Sequence, residues 1–246
     1  MSDGRVDIEL GADGCLCLTL DRPEKGNALS AEMTHALQAA FAAPAADARF
    51  ILLRGMGDDF CAGRDSPMPP KDARISAADI RARVADPVLQ FYETLRTTPL
   101  PVIAAVRGRA HGVGFALAGL ADIVIAEPDA DFCVPEMDRD IPPLLVAYAL
   151  ADRIPRQSLA RAVFGREHFN ALGAQALGIV GEVSDALDHR IAFWRSQLAG
   201  NSATTLRTMK RFLTAAPDMS FGARREYAAA AISGAVSERF ITPKED

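Results

Sequence analysis

The stretch that most constrains the fold is Val102–Gly119: an apolar run (VIAAV), then Arg107-Gly-Arg-Ala-His-Gly-Val-Gly114, then small apolar residues through Gly119. The run fits a strand buried on both faces, and closely spaced glycines let the chain turn sharply into a helix packed against it. Such a strand, turn and helix commits the chain to α/β layers. A dinucleotide fingerprint is excluded, because Leu117 stands where Gly-x-Gly-x-x-Gly needs its third glycine. A phosphate loop is excluded too, since no Gly-Lys-Ser/Thr follows. Two readings remain: the glycines only permit close packing, or the unpaired N–H groups at the helix start receive a developing oxyanion. The second reading needs another donor. Phe60-Cys-Ala-Gly-Arg-Asp65 offers one, the amide of Arg64 after a turn at Gly63.

The rest of the chain supports one α/β domain with a helical final third. Val6–Leu10 and Cys15–Leu20 alternate around Gly11-Ala-Asp-Gly14 and read as a hairpin. Ser30 caps a helix through Phe41, and Phe50–Arg54 is a buried strand. Ser66–Lys71 is Pro-rich and reads as an exposed loop able to cover a pocket; Asp72–Thr98 is helical in pattern with a break at Pro87. Asp122–Ala126 is a strand. Helical patterns follow at Leu144–Arg153, Ser158–Phe164, Ala171–Leu177, Asp185–Ala199, Ser202–Ala215 and Gly222–Val236, with a strand-like Ile179–Val183 among them. At 246 residues and 49% hydrophobic, the chain can bury a sizeable core around a pocket.

Charge and motif spacing narrow the partners. Twenty-seven Lys and Arg against 32 Asp and Glu give −5, so neither nucleic acid nor anionic lipid is an expected partner. MSDGRVDIEL has no apolar signal core and no stretch reaches the ~18 apolar residues of a membrane span, so a cytoplasmic protein is expected. Four cysteines without CxxC and four histidines without HExxH spacing give no expectation of a metal site or disulfide.

Six segments occur in an order that resembles the crotonase superfamily, the enoyl-CoA hydratases and isomerases. They are Asp21-Arg-Pro-Glu-Lys-Gly-Asn-Ala-Leu-Ser30, Phe60–Asp65, Pro101–Gly114, Asp122–Ala126, Phe132-Cys-Val-Pro-Glu136 and Ala171–Val180. The resemblance implies an α/β spiral of ββα repeats (the ClpP/crotonase fold), with a core over residues 1–190 and a C-terminal helical trimerisation subdomain over 191–246. It implies homotrimers or homohexamers, a coenzyme A thioester as substrate, and no separate cofactor. By the same resemblance the amides of Arg64 and Val113 form an oxyanion hole. Lys25, Asn27, Ala28, Ala62, Gly63, Arg64, Asp65 and Gly112 then lie along the CoA thioester, with Lys25 and Arg64 meeting its phosphates or remaining solvated.

The sequence departs from the family at one informative place. Family hydratases use two glutamates; Glu136, after Pro135, matches the second, while the first falls at Ala116, which transfers no proton. One carboxylate beside an oxyanion hole suffices to move a proton from the α to the γ carbon, so double-bond isomerisation is expected ahead of hydration, with Glu136 as acid/base. Asp140 is a candidate second acid or, alternatively, the cap of the following helix. His111 is either a packed neutral imidazole or a base. A diverged acyl-CoA binder and an acyl-CoA hydrolase on the same fold are the alternatives. The C-terminus departs too, ending without the family's acidic helical tail, so the ligand's nucleotide end is expected to be less enclosed.

Overall fold

The hairpin opens the computed structural model, which describes residues 4–65 and 74–241. β1 (Arg5–Leu10) and β2 (Cys15–Asp21) pair antiparallel, with Arg5 opposite Asp21 and Leu10 opposite Leu16. α1 (Ala31–Ala42) starts where expected: the Ser30 hydroxyl accepts from the Met33 amide at 3.2 Å. β3 (Phe50–Gly55) then pairs parallel with β2. The Pro-rich Ser66–Lys71 loop lies outside the described residues.

The expected break at Pro87 is absent. α2 (Ala77–Ile80) passes through a π turn at Arg81–Ala85 into α3 (Asp86–Thr97), and Pro87 lies in the first turn of α3. Pro87 has no N–H to give the preceding turn, and the helix accommodates it through the π turn just before it, where the Asp86 amide donates to the Arg81 carbonyl.

β4 (Val102–Val106) is, with β3, one of the two central strands, and is followed by β5 (Arg109–His111), α4 (Val113–Leu120), β6 (Ile123–Ala126) and β7 (Asp131–Cys133). α5 (Leu144–Leu150), α6 (Arg156–Gly165) and α7 (Ala171–Leu177) lead to a two-residue β8 (Glu182–Val183). α8 (Leu187–Ala199), α9 (Ala203–Ala215) and α10 (Phe221–Ile241) complete the described chain. The main sheet has the order β1-β2-β3-β4-β6-β8, and β5 and β7 form a separate parallel pair. Sequence patterning treated β5 as part of the glycine turn and did not separate β7.

Strand alternation sorts side chains between two cores. Leu18, Ile51, Leu53, Val102 and Ala104 face the layer of α1, α3 and α4, whereas Cys15, Phe50, Leu52, Ile103 and Ala105 face α8 and α9. The boundary expected after residue 190 falls inside α8, whose Leu187 and Ile191 pack on the sheet with Leu206 of α9. A buried ion pair pins α9 further: Lys210 Nζ lies 2.8 and 2.9 Å from the Asp122 carboxylate, which also accepts from the Val102 amide at 2.8 Å. Among the described residues no helix is long and apolar enough to cross a membrane.

Candidate active site

Residues 60–65 run between two strips of main chain and bond to both. On one side, the Phe60 amide donates to the Arg107 carbonyl and the Cys61 amide to the Arg109 carbonyl, both at 2.8 Å; the His111 amide returns to the Cys61 carbonyl at 3.0 Å. On the other side, the Ala62 amide donates to Gly26 at 2.8 Å, Leu29 donates to Gly63 and Asp65 to Leu29, both at 2.9 Å. Gly63 sits between these at φ +125°, a conformation that strains any residue with a Cβ. The segment is held in one shape by its backbone.

The helix start is brought to it by an equally close contact. A Cβ on Gly114 would stand 2.1 Å from the Cys61 carbonyl oxygen, so only glycine lets α4 begin there. Among the described backbone hydrogen bonds, neither the Arg64 nor the Val113 amide donates to a carbonyl. Val113 is the first residue of α4, where intrahelical geometry supplies no acceptor and the dipole is positive. Both residues line one cavity of about 200 Å³ together with Leu29, Gln38, Val88 and Phe91.

β7 delivers the carboxylate. The Gly112 amide donates to Cys133 at 2.9 Å, and the chain leaves β7 directly into a 3₁₀ turn, Pro135–Arg139, that carries Glu136. Glu136 Oε1 lies 3.0 Å from where a Cβ on Gly112 would be, which places the carboxyl beside the first turn of α4. Oε2 is buried and has no hydrogen-bond partner among the described residues. Burial raises the Glu136 carboxyl above the ordinary range, against smaller opposing effects of a bond to its own backbone and the Arg139 charge. Ala116 lies fully buried in α4, one turn from Gly112.

Asp140 is exposed and ends the 3₁₀ turn in a left-handed conformation. Asp140 does not cap the following helix: α5 begins at Leu144 with Pro143 as its N-cap and no side-chain cap bond. Asn27, also left-handed, is fully buried, and its side chain is a clamp: it accepts from the Arg22 amide at 2.9 Å and donates to the carbonyls of Met56 and Asp59 at 2.9 and 2.7 Å. This clamp sets the Lys25–Ala28 turn beside Ala62–Asp65. Lys25 is exposed, and Asp65 pairs with Arg22 at 2.7 Å.

Two features had no signal in the sequence. His111 Nε2 and His168 Nδ1 both lie 2.8–2.9 Å from the Asp131 carboxylate, a cluster whose ligand-type atoms fall within 4.8 Å of one another. Pairing of β5 with β7 and a bridge between Phe132 and Phe169 assemble it from positions far apart in the chain. The other is Tyr92 on α3, whose buried hydroxyl lacks a partner among the described residues. Burial, reinforced by the Glu136 charge, pushes that hydroxyl well above the ordinary tyrosine range. Along the sequence it is one more apolar-face residue beside Val88, Phe91 and Leu95.

Comparison with known proteins decides the family: the sequence model described as enoyl-CoA hydratase/isomerase matches residues 11–238. The chain belongs to the enoyl-CoA hydratase/isomerase family. A probable enoyl-CoA hydratase of Rhodobacter capsulatus is 39% identical over 49% of this chain and 46% of its own length. The chain thus matches about half the length of the first such curated relatives. A 1,2-epoxyphenylacetyl-CoA isomerase of Escherichia coli is 33% identical over 78% of this chain and 73% of its own. Among solved structures, an enoyl-CoA hydratase of Thermoplasma volcanium superposes with a TM-score of 0.80 at 29% identity, covering 94% of this chain and 92% of that one. The expected crotonase fold is the fold found.

Proposed function

We propose that the protein is an acyl-CoA enzyme that polarises a thioester carbonyl between the Arg64 and Val113 amides and moves a proton with Glu136. The observation that carries the reading is a half-buried carboxyl, unpartnered among the described residues, beside the start of α4 where the Val113 amide is free, with Arg64 on the same cavity as Val113 and Ala116 where the resemblance puts a second acid. Abstraction of the α proton builds enolate charge on the thioester oxygen, and two fixed backbone donors stabilise that charge without a proton transfer of their own. Glu136 takes the α proton and returns it at the γ carbon, so double-bond isomerisation is favoured over hydration, which needs a second acid to hold water. The raised Glu136 affinity for protons suits a group that must both accept and release one. The reaction so read draws on no cofactor beyond the substrate's CoA. The exposed apolar residues of α9 and α10 support self-association, and the family resemblance makes a homotrimer or a pair of trimers the assembly proposed.

The test is incubation with 2-enoyl- and 3-enoyl-CoA thioesters in D2O, following double-bond position and deuterium uptake by mass spectrometry. Migration or α exchange in the wild type, lost in Glu136→Gln with ester affinity held within a few fold, supports the reading. Unchanged turnover in Glu136→Gln removes Glu136 as the base. Ala116 favours one other reading, a diverged acyl-CoA binder, which binding without exchange, hydration or hydrolysis would support.

A further inference from the structure

Arg64 is present twice in the proposed site, once through its amide and once through its guanidinium, and among the described residues the side chain serves no structural bond. It is half-buried and lines the cavity beside α1 and α3. Among the described residues it forms no ion pair or side-chain hydrogen bond. Its acidic neighbour in sequence, Asp65, is committed to Arg22 at 2.7 Å. Loss of water lowers the guanidinium's affinity for its proton, and among the described residues the group acting against that is the Tyr92 hydroxyl rather than a carboxylate. A cation taken partly out of water without a countercharge is costly, and the cost is relieved when a bound anion supplies that charge.

The cavity says which anion fits. Around Arg64 it is lined by apolar Leu29, Val88 and Phe91, and by Thr34, His35 and half-buried Gln38 as polar residues. At about 200 Å³ it lies below the roughly 300–1,000 Å³ of sites for drug-sized ligands, which excludes a nucleotide. At roughly 30 Å³ per water-sized unit, it holds a short chain of about four to six carbons. Its wall includes Val113, so the chain enters from the thioester side.

We propose that this cavity takes the distal end of a short acyl group ending in a carboxylate, with the Arg64 guanidinium as its partner and Gln38 beside it. The proposal rests on the reading of the site as an acyl-CoA site, and makes the substrate class short ω-carboxyacyl thioesters.

Saturated esters test it without turnover. Calorimetric titration of the full chain with glutaryl-CoA against pentanoyl-CoA, and adipyl-CoA against hexanoyl-CoA, measures the preference for the carboxylate at matched chain length. The wild type is expected to favour the carboxylated member of at least one pair by about 10- to 100-fold, the worth of a charge-assisted hydrogen bond. Arg64→Met brings that ratio to about one or below, and Arg64→Lys keeps part of it. Equal affinity for both members in the wild type overturns the proposal and leaves the acyl-CoA reading standing. So does an Arg64→Met variant that weakens unacylated CoA as much as the carboxylated ester, since Arg64 would then meet the CoA phosphates. Failure of every ester to bind would sink the acyl-CoA reading and this proposal with it.

Discussion

The corner that holds the two free amides and the α9–α10 pair are secured by different means. In the corner, main-chain hydrogen bonds grip residues 60–65 from both sides, and a helix start packs against a carbonyl at a distance only glycine permits. In the helical pair, α9 is tied to the sheet by Leu206 and the Lys210–Asp122 ion pair, while Met209, Leu213, Ile232 and Val236 remain exposed. Backbone-built geometry tolerates no extra atom, whereas a side-chain-built surface can change its residues and keep its shape. The first suits chemistry that needs fixed donors; the second suits assembly.

The largest break in this contrast comes from one methyl group. Gly114→Ala forces α4 away from Cys61, and steady-state kinetics on an enoyl-CoA thioester are expected to show a loss in kcat of about 100- to 1,000-fold, with the circular dichroism spectrum retained. Next is Asp122→Ala, which leaves the Lys210 ammonium buried and alone; urea unfolding is expected to show a loss of about 3–5 kcal/mol. Retention of full stability in that variant would mean that the pair does not hold α9.

Smaller effects sharpen the comparison. The Glu136 carboxyl binds its proton more tightly in the folded chain than in the unfolded one, so stability falls as pH rises from the ordinary carboxylate range through the raised folded value. Glu136→Gln removes that loss: its Tm at pH 7 is expected to exceed the wild type's, and the gap to close near pH 4. An activity profile of the wild type is expected to lose its base form at a pH above the ordinary carboxylate range. Smallest is Ile232→Asp on α10, expected to change stability by less than about 0.5 kcal/mol. Light scattering after gel filtration would then show whether the same charge separates an assembly.

What could be read in the sequence was local. The hairpin, the Ser30 cap and the strand, glycine turn and helix at Val102–Gly119 each rest on neighbours within a few residues. The Pro135-Glu136 pair could be assigned only through resemblance, and its place beside Gly112 depends on β5 pairing with β7, two three-residue strands too short to show a period. Tyr92 was hidden because a buried hydroxyl and a packed phenyl leave the same helical pattern. Lys210 and Asp122 lie 88 positions apart, and neither looks unlike a surface charge along the chain. Pro87 misled because the π turn before it takes up the missing N–H without ending the helix, and such a turn has no pattern of its own along the chain.

Both donors in the corner belong to the peptide chain itself, and this has a genetic consequence. No replacement of the Arg64 or Val113 side chain removes an N–H unless proline is introduced. A library of random point variants is therefore expected to show few inactive alleles at Val113 and many at Gly63 and Gly114, where a side chain would strain or crowd the corner. Under the proposed function, the acid beside the corner can then change while the two amides that would meet the thioester carbonyl stay in place.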